Sequence, residues 1–448
     1  MNFDIAAIRT PAIEELPDDP ELWSPERMAE WVQTRGSVSS ALRFALESAS
    51  GVLLQRLKAQ DDIRLIVRRR AWVMDRLLTW MWNQFPFSKD QGLALLAVGG
   101  FGRAELHPYS DIDVMVLLES GDGAQYQEQI SAFVTQLWDF GLDVGQTVRS
   151  LQDCVEQARE DITIATNLME ARTICGNPAL CKQMLEMTGP QHLWPAKAFF
   201  SAKWREQITR HHKHNNTEYN LEPDIKNAPG GLRDIHSIGW VAKRYFDASR
   251  LSELVTHNFL TEGEYVSLNE GQAFLWQVRY ALHVIARRSE NRLLFDYQRS
   301  VAEMLGFTDS DGQLGVETLM KRYYRVALSI SQLNDMLLQH FDEAILRVDE
   351  PEEIKHINKR FQARNGFIEV SNTNVFKRTP SALLELFVIL AQNPNLEGIR
   401  ASTIRLIRDS RDLIDDKFRS DIRNTTLFTE LLRSPTEIYT QLWRMKRY

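Results

Sequence analysis

Cysteine is scarce in this chain: three residues in 448, at positions 154, 175 and 181. An odd number without zinc-like spacing excludes a disulfide framework and a structural zinc site, and points to reduced thiols in a cytosol. Long apolar runs are missing too. The longest, around Leu93–Gly100, is strand-sized and far short of the ~18 residues a membrane helix needs. The start, Met1-Asn2-Phe3-Asp4, has no basic region leading into an apolar stretch, so no secretory signal is read there. Nor is there an excess of positive charge. With 53 Lys+Arg against 60 Asp+Glu the net charge is −7, which removes the electrostatic reason to bind nucleic acid or an anionic membrane. Internal repeats and low-complexity tracts are also lacking. What is present, 44% hydrophobic and 25% charged residues, is the composition of a globular protein of two or three domains. A soluble, cytoplasmic protein is expected, with neither nucleic acid nor membrane as partner.

Hydrophobic periodicity divides the chain. Residues 1–35 carry Pro11, Pro17, Pro20 and Pro25 and read as extended, whereas 37–85 has the spacing of helices. Leu93–Val98 is a continuous apolar run, as in a strand covered on both faces. Asp111–Leu118 and Leu142–Val148 read as two further strands, with a helix over Ala124–Phe140 between them. Beyond Leu151 the pattern is helical almost throughout, over 161–173, 197–214, 230–246, 262–289, 315–345, 381–392, 401–416 and 425–446. The exception is a small hairpin over Gly366–Lys377, with Asn372-Thr373-Asn374 at its bend. The fold class is therefore α+β: a small mixed sheet embedded in a mostly helical protein.

Chemistry concentrates where the first strand ends. Gly99-Gly100-Phe101-Gly102-Arg103 follows the apolar run, and Ser110-Asp111-Ile112-Asp113 opens the next strand. Residues i and i+2 of a strand point to one face, ~6.6 Å apart along the chain. Asp111 and Asp113 are thus placed to converge on divalent cations, and hard carboxylate oxygens suit Mg²⁺ or Mn²⁺ with nucleotide phosphates completing the shell. Gly99 and Gly100, without Cβ atoms, let backbone N–H groups approach a triphosphate. Ser110 can donate a hydroxyl to the same phosphates and Arg103 can add charge. Asp143, on the neighbouring strand, is the candidate third carboxylate, as metal ligand or general base. A Gly-Gly turn or a D-x-D taken alone is usually structural; their succession within fifteen residues favours the functional reading.

A second motif runs Tyr219-Asn220-Leu221-Glu222-Pro223-Asp224-Ile225-Lys226, then Pro229-Gly230-Gly231-Leu232-Arg233-Asp234-Ile235. Lys226, Gly231 and Arg233 fit a phosphate or ribose contact as well as they fit a turn that opens a helix. His211-His212-x-His214 reads as a solvated helix end rather than a metal site. His107 suits a substrate contact or a structural loop equally. Arg279, Arg287, Arg288 and Arg292 read as a salt-bridged helix surface.

Gly99–Asp113, read as G-G-F-G-R-A-E-L-H-P-Y-S-D-I-D, resembles the nucleotidyltransferase signature of the bacterial PII-protein uridylyltransferase/uridylyl-removing family. Tyr219–His236 resembles that family's second hallmark, and the likeness continues through Asn291–Asp296 and Leu337–Leu346. The resemblance implies a DNA-polymerase-β-type nucleotidyltransferase domain over 86–175. An N-terminal helical region at 1–85, a helical associated domain at 176–345 and a linker region at 346–448 would surround it. It implies UTP as substrate, Mg²⁺ as cofactor, and transfer of UMP to a tyrosine hydroxyl of the PII signalling protein with release of pyrophosphate. Asp111 and Asp113 would hold the metal, and Gly99 and Gly100 the nucleotide. Family members are about twice as long, adding an HD-type hydrolase domain and paired ACT domains. No His-Asp dipeptide occurs here, and Leu427–Pro435 resembles the lead-in to the hydrolase domain. The uridylyl-removing activity is expected to be missing, and the chain to be an N-terminal piece or a truncated product. Gln146 stands where members often carry His. Two other readings are an adenylyltransferase of the glutamine synthetase type, disfavoured by the single G-G…D-x-D copy, and a catalytically silent nucleotide-binding regulator, disfavoured by intact Asp111 and Asp113.

Overall fold

The computed structural model of the chain describes residues 10–121, 123–141, 143–248, 250–310, 312–349, 351–434 and 438–448. Leu142, Pro435 and Met1-Asn2-Phe3-Asp4, all used in the sequence reading, lie outside these. The chain forms two compact units, Met1–Ile330 and Ser331–Tyr448. The proline-punctuated start is not simply extended. Pro25 opens helix α1 (Pro25–Thr34), where its missing N–H costs nothing, and Ser24 Oγ caps the helix by accepting from Arg27 N at 3.2 Å. Helices α2 (Val38–Lys58) and α3 (Ile63–Trp82) follow as the periodicity predicts.

The sheet of the first unit comprises β1 (Leu93–Ala97), β2 (Ile112–Leu118), β3 (Val144–Ser150) and β4 (Arg172–Gly176), in the order β3-β2-β1-β4. A short helix α4 (Gly99–Gly102) joins β1 to the loop before β2, and α5 (Gln127–Asp139) lies between β2 and β3. Every residue of β1 is buried, and each of its leucines contributes roughly 1.5–3 kcal/mol by leaving water. β1 runs antiparallel to β2, with Ala97 opposite Val114, while β2 and β3 run parallel, with Asp113 opposite Gly145. Helices α6 (Leu151–Glu160), α7 (Ile162–Met169) and α8 (Pro178–Met187) cover one face, packing Cys154, Leu168 and Met184 against Leu96, Met115 and Leu117. The expected helix over 161–173 ends at Met169 instead. Arg172–Gly176 leaves it as β4, because β1 offers an open edge on which to pair. All three cysteines are free, and burial raises the Cys154 thiol to about 12.

The rest of the unit is helical: α9 (Ala196–Lys213), α10 (Leu232–Phe246), α11 (Glu253–Thr256), α12 (Glu262–Ala286), α13 (Phe295–Met304) and α14 (Gly315–Phe341), whose length contains the division between units. The second unit holds a small sheet in the order β5 (Ile354–His356), β6 (Phe361–Arg364), β7 (Phe367–Val370), β8 (Gly398–Ile399). Its hairpin turns at Asn365-Gly366, both at positive φ, rather than at Asn372-Thr373-Asn374, which lead into α15 (Val375–Arg378). Helices α16 (Ala382–Gln392), α17 (Ala401–Asp409) and α18 (Asp416–Ser420) follow. The single helix expected over 425–446 is two, α19 (Ile422–Leu432) and α20 (Ile438–Arg447). Among the described residues no helix is long and apolar enough to cross a membrane.

Candidate active site

The parallel β2–β3 pair determines the placement of the acidic residues. Asp111 precedes β2, Asp113 is its second residue, and Asp143 precedes β3; Ile112 N donates to Asp143 O at 2.9 Å, so the starts of both strands lie side by side. Asp111 and Asp143 are exposed and Asp113 is half-buried. No ion pair to any of the three occurs among the described residues. Burial, then the charges of Asp111 and Asp143, push the Asp113 carboxyl above its usual range, against an opposing pull from Lys226. Three carboxylates thus share one strand end with Lys226 as a nearby cation but with no ion pair among the described residues.

Two glycines flank Asp113. Gly99 sits at φ +57°, and a Cβ there would lie 3.2 Å from Asp113 Oδ2; a Cβ on Gly145 would lie 2.3 Å from Asp113 Oδ1. Both positions therefore keep clear the space the carboxylate occupies. Gly145 is a member of the candidate site that the sequence reading passed over, although an isolated glycine within a strand pattern signals close approach of another group. Gly100 carries no such constraint; its carbonyl accepts from Glu105 N at 3.0 Å, closing the turn. Ser110 Oγ is buried and has no hydrogen-bond partner.

Arg103 is placed otherwise than as a free phosphate contact. Its Nε meets Glu105 at 3.1 Å and its Nη1 meets Glu170 at 2.6 Å. Burial works against its charge, but the two carboxylates more than offset this and raise its pKa. Glu105 also binds His236 Nε2 at 2.9 Å. Arg103, Glu105 and His236 line a cavity of about 530 Å³ whose walls include none of the three aspartates.

The second motif divides in the same way. Gly230 (φ +76°) lies so close to the backbone of Ala327 that a Cβ would be 2.0 Å from its carbonyl oxygen, and a Cβ on Gly231 would meet three carbonyls at 2.8–2.9 Å. These glycines form a tight turn. Asp234 is fully buried and accepts from Gly230 N at 2.8 Å, from Arg210 at 2.7 Å, and bonds His211 Nε2 at 2.8 Å. His211 is therefore an anchor for this turn rather than a solvated helix end. Arg233 stacks over Trp240 at 5.2 Å. Lys226 faces the acidic cluster: burial, with Arg279 and Arg233 nearby, lowers its ammonium to about 8, and Asp111 pulls the other way. The structure thus brings Asp111, Asp113, Asp143, Gly99 and Lys226 together, with Ser110 beside Asp111 in the chain. It sets Arg103 on other partners and gives Gly231 a packing role.

The same loop shows what His107 and Arg279 do. His107 is buried, and Arg279, far from being a surface residue, is buried with it; Arg279 Nη1 lies 3.1 Å from His107 Nδ1. No three His, Cys, Asp or Glu side chains among the described residues form a ready-made metal cage. A site of one or two carboxylates completed by substrate phosphates is, however, what Mg²⁺ commonly uses. The three aspartates and the orphaned Ser110 hydroxyl fit that requirement.

A small mixed sheet here brings a Gly-Gly turn and a D-x-D pair to one strand end, with a helical region placing a lysine nearby, an arrangement able to hold a divalent cation against a nucleotide phosphate. The particular family follows from comparison. Residues 198–338 match the family described as GlnD PII-uridylyltransferase, and 361–448 match the uridylyltransferase GlnD third domain. Among curated proteins, the bifunctional uridylyltransferase/uridylyl-removing enzyme of Pseudomonas aeruginosa (strain PAO1) is 52% identical over 430 residues, covering 96% of this chain and 48% of the relative. Those of Ectopseudomonas mendocina (strain ymp) and Stutzerimonas stutzeri (strain A1501) are 51% and 50% identical over the same shares. The chain belongs to the GlnD uridylyltransferase family, and it spans about half the length of the curated relatives it matches.

Proposed function

We propose that this chain transfers UMP from UTP to a tyrosine hydroxyl of a PII signalling protein in the cytoplasm, with the chemistry seated in 86–175 and supported by the helical region 176–345. The observation that carries this reading is the Asp113 carboxylate held between Gly99 and Gly145, beside Asp111, Asp143 and Lys226, in a chain whose relatives are named uridylyltransferases. Asp111 and Asp113, with Asp143, would hold Mg²⁺ or Mn²⁺, which when bound neutralises phosphate charge and eases the departure of pyrophosphate. Ser110 Oγ donates to a phosphate oxygen, satisfying a buried hydroxyl that otherwise has no partner. Lys226 places a positive charge against the triphosphate. The tyrosine oxygen attacks the α-phosphorus; the bond to pyrophosphate breaks, and the phenolic proton passes to Asp143 or to solvent.

Intact-mass spectrometry of a PII protein incubated with this chain, Mg²⁺ and either UTP or ATP tests the proposal. A UMP-sized gain with UTP alone, abolished by EDTA, is expected. No gain from a folded chain that binds UTP would instead support a silent regulator, and a gain with ATP alone would overturn the base assignment.

A further inference from the structure

The loop that carries Ser110 and Asp111 rests on helix α12, although some 170 residues separate the two in sequence. The His107 ring packs among Trp276, Tyr280 and His283, at centroid distances of 6.5, 6.2 and 6.0 Å. Spacing of three and four residues places Trp276, Arg279, Tyr280 and His283 on one helix face. His283 Nδ1 bonds the Pro108 carbonyl, and Arg279 Nη1 bonds His107 Nδ1. The same guanidinium has a second hold: its Nε donates to Asn291 Oδ1 at 2.9 Å. Asn291 in turn accepts from Ile225 N at 2.8 Å, next to Lys226, and an isolated bridge pairs Asp224 with Arg292. Arg279 therefore bonds the segment leading to the first aspartate directly and reaches the segment leading to the lysine through Asn291.

We propose that Arg279 is a positioning residue that fixes the Ser110–Asp111 loop and the Lys226 segment in one frame, so that both meet the same nucleotide. Its planar fork, with Nε and Nη1 pointing to different partners, provides what a lysine cannot. Among the described residues it has no carboxylate partner. Burial lowers it to about 10, while Glu105, Asp111 and Asp224 favour its charge from a distance. A buried guanidinium with no ion pair is costly to keep; a role in holding the site accounts for its retention. The inference rests on the proposed transferase reading and deepens it.

The test compares Arg279→Lys, Arg279→Gln and His107→Phe, the last keeping an aromatic ring in the packed position while cutting the loop-side bond. UTP affinity is measured by calorimetry with Mg²⁺ and no protein substrate, and transfer is followed on PII. Misplacing reacting groups by about 1 Å costs on the order of 10²-fold. Arg279→Lys is expected to bind UTP within about threefold of wild type, since the charge stays, yet to lose kcat on that 10² scale; Arg279→Gln is expected to lose both. His107→Phe is expected to lower kcat with KM for UTP little changed, and to add nothing to Arg279→Gln in the double variant, because both break one connection. Full rescue of kcat by lysine would reduce Arg279 to a charge and overturn the proposal, as would independent, additive effects of the two substitutions. Should wild type bind UTP but transfer nothing, the transferase reading fails; the strut is then tested by the binding arm alone, where Arg279→Gln affinity equal to wild type would overturn it.

Discussion

Acid should destabilise the first unit well before its carboxylates begin to protonate. Three histidines are buried there, around the loop between α4 and β2 and the adjoining cavity: His107, His236 and His283. Burial lowers His236 and His283 to about 3, with Arg103 and Arg279 respectively adding to the effect, and holds His107 well below its usual value beside Arg279 and His283. In the unfolded chain each would titrate near 6.5. Between the two values the unfolded state binds more protons, so stability rises with pH across that window and falls as pH drops through about 6.5 toward 3. From pH 7.5 to 5.0 His236 and His283 each remove about 2 kcal/mol, and His107 acts in the same direction, against a total stability of about 5–15 kcal/mol for a typical domain. Glu105 and Asp234, whose pKa values are lowered by their cationic neighbours, add to the loss only at lower pH; Asp113 and Asp75, both shifted upward by burial, oppose it by at most one proton each. Urea unfolding followed by tryptophan fluorescence at pH 7.5, 6.0 and 5.0 measures the effect, and its slope should report about two to three protons taken up on unfolding near pH 5.5. Substituting His236→Gln should remove about one of these protons. A midpoint that does not move between pH 7.5 and 5.0, or a proton uptake unchanged by His236→Gln, would show that the buried rings are not held neutral.

Replacing Asp113→Asn should reduce UMP transfer by at least ~10²-fold. The melting temperature should hold or rise, because the change relieves repulsion from Asp111 and Asp143; calorimetry that shows a large fall would make Asp113 a structural residue. Gly145→Ala should have a similar catalytic effect without touching a carboxylate, since its methyl group would sit 2.3 Å from Asp113 Oδ1 and force that side chain to turn; transfer equal to wild type would show the contact to be harmless. At Gly230→Ala the obstruction is the Ala327 backbone, 2.0 Å away, which cannot turn aside. Loss of soluble folded protein or a fall of several degrees in melting temperature is expected there.

Much of the first unit was legible because its signals are local. The run Leu93–Ala97 is buried on both faces, as an uninterrupted apolar strand should be, and Asp111-Ile112-Asp113 lies at a strand start as its alternation implied. Strand β4 was not legible: Arg172 and Thr173 fell at the end of the helix expected over 161–173, and only β1, some 80 residues earlier, selects the extended form of Arg172–Gly176 by pairing with it. The Asn365-Gly366 bend was present in the sequence as an N-G hairpin signal and was outweighed by the asparagines at 372 and 374.

The candidate site shows the same division at the level of single side chains. The chemistry of an aspartate follows from its residue type and its place on a strand, so Asp111 and Asp113 could be found without tertiary structure. The arginines could not be sorted in that way. Arg103, four residues beyond Gly99, stands closest in sequence to the glycine turn, yet its charge is shared between Glu105, two residues on, and Glu170, 67 residues away. Arg279 lies 172 residues from His107 and was assigned to solvent by its helical pattern, yet it is buried against the loop that carries His107. A long cation reaches whatever long-range packing brings near it, and its partner is decided by folds of the chain that local spacing does not encode. Lys226 joined the acidic centre because the buried turn anchored by Asp234 delivers its backbone there. Two of the three carboxylates, Asp111 and Asp113, are therefore written in one stretch of about fifteen residues with the glycine turn, and Asp143 joins them through the β2–β3 pairing; the basic half is assembled by tertiary structure, and substitutions in distant helices such as α12 should change nucleotide handling without altering any residue of the recognisable motif.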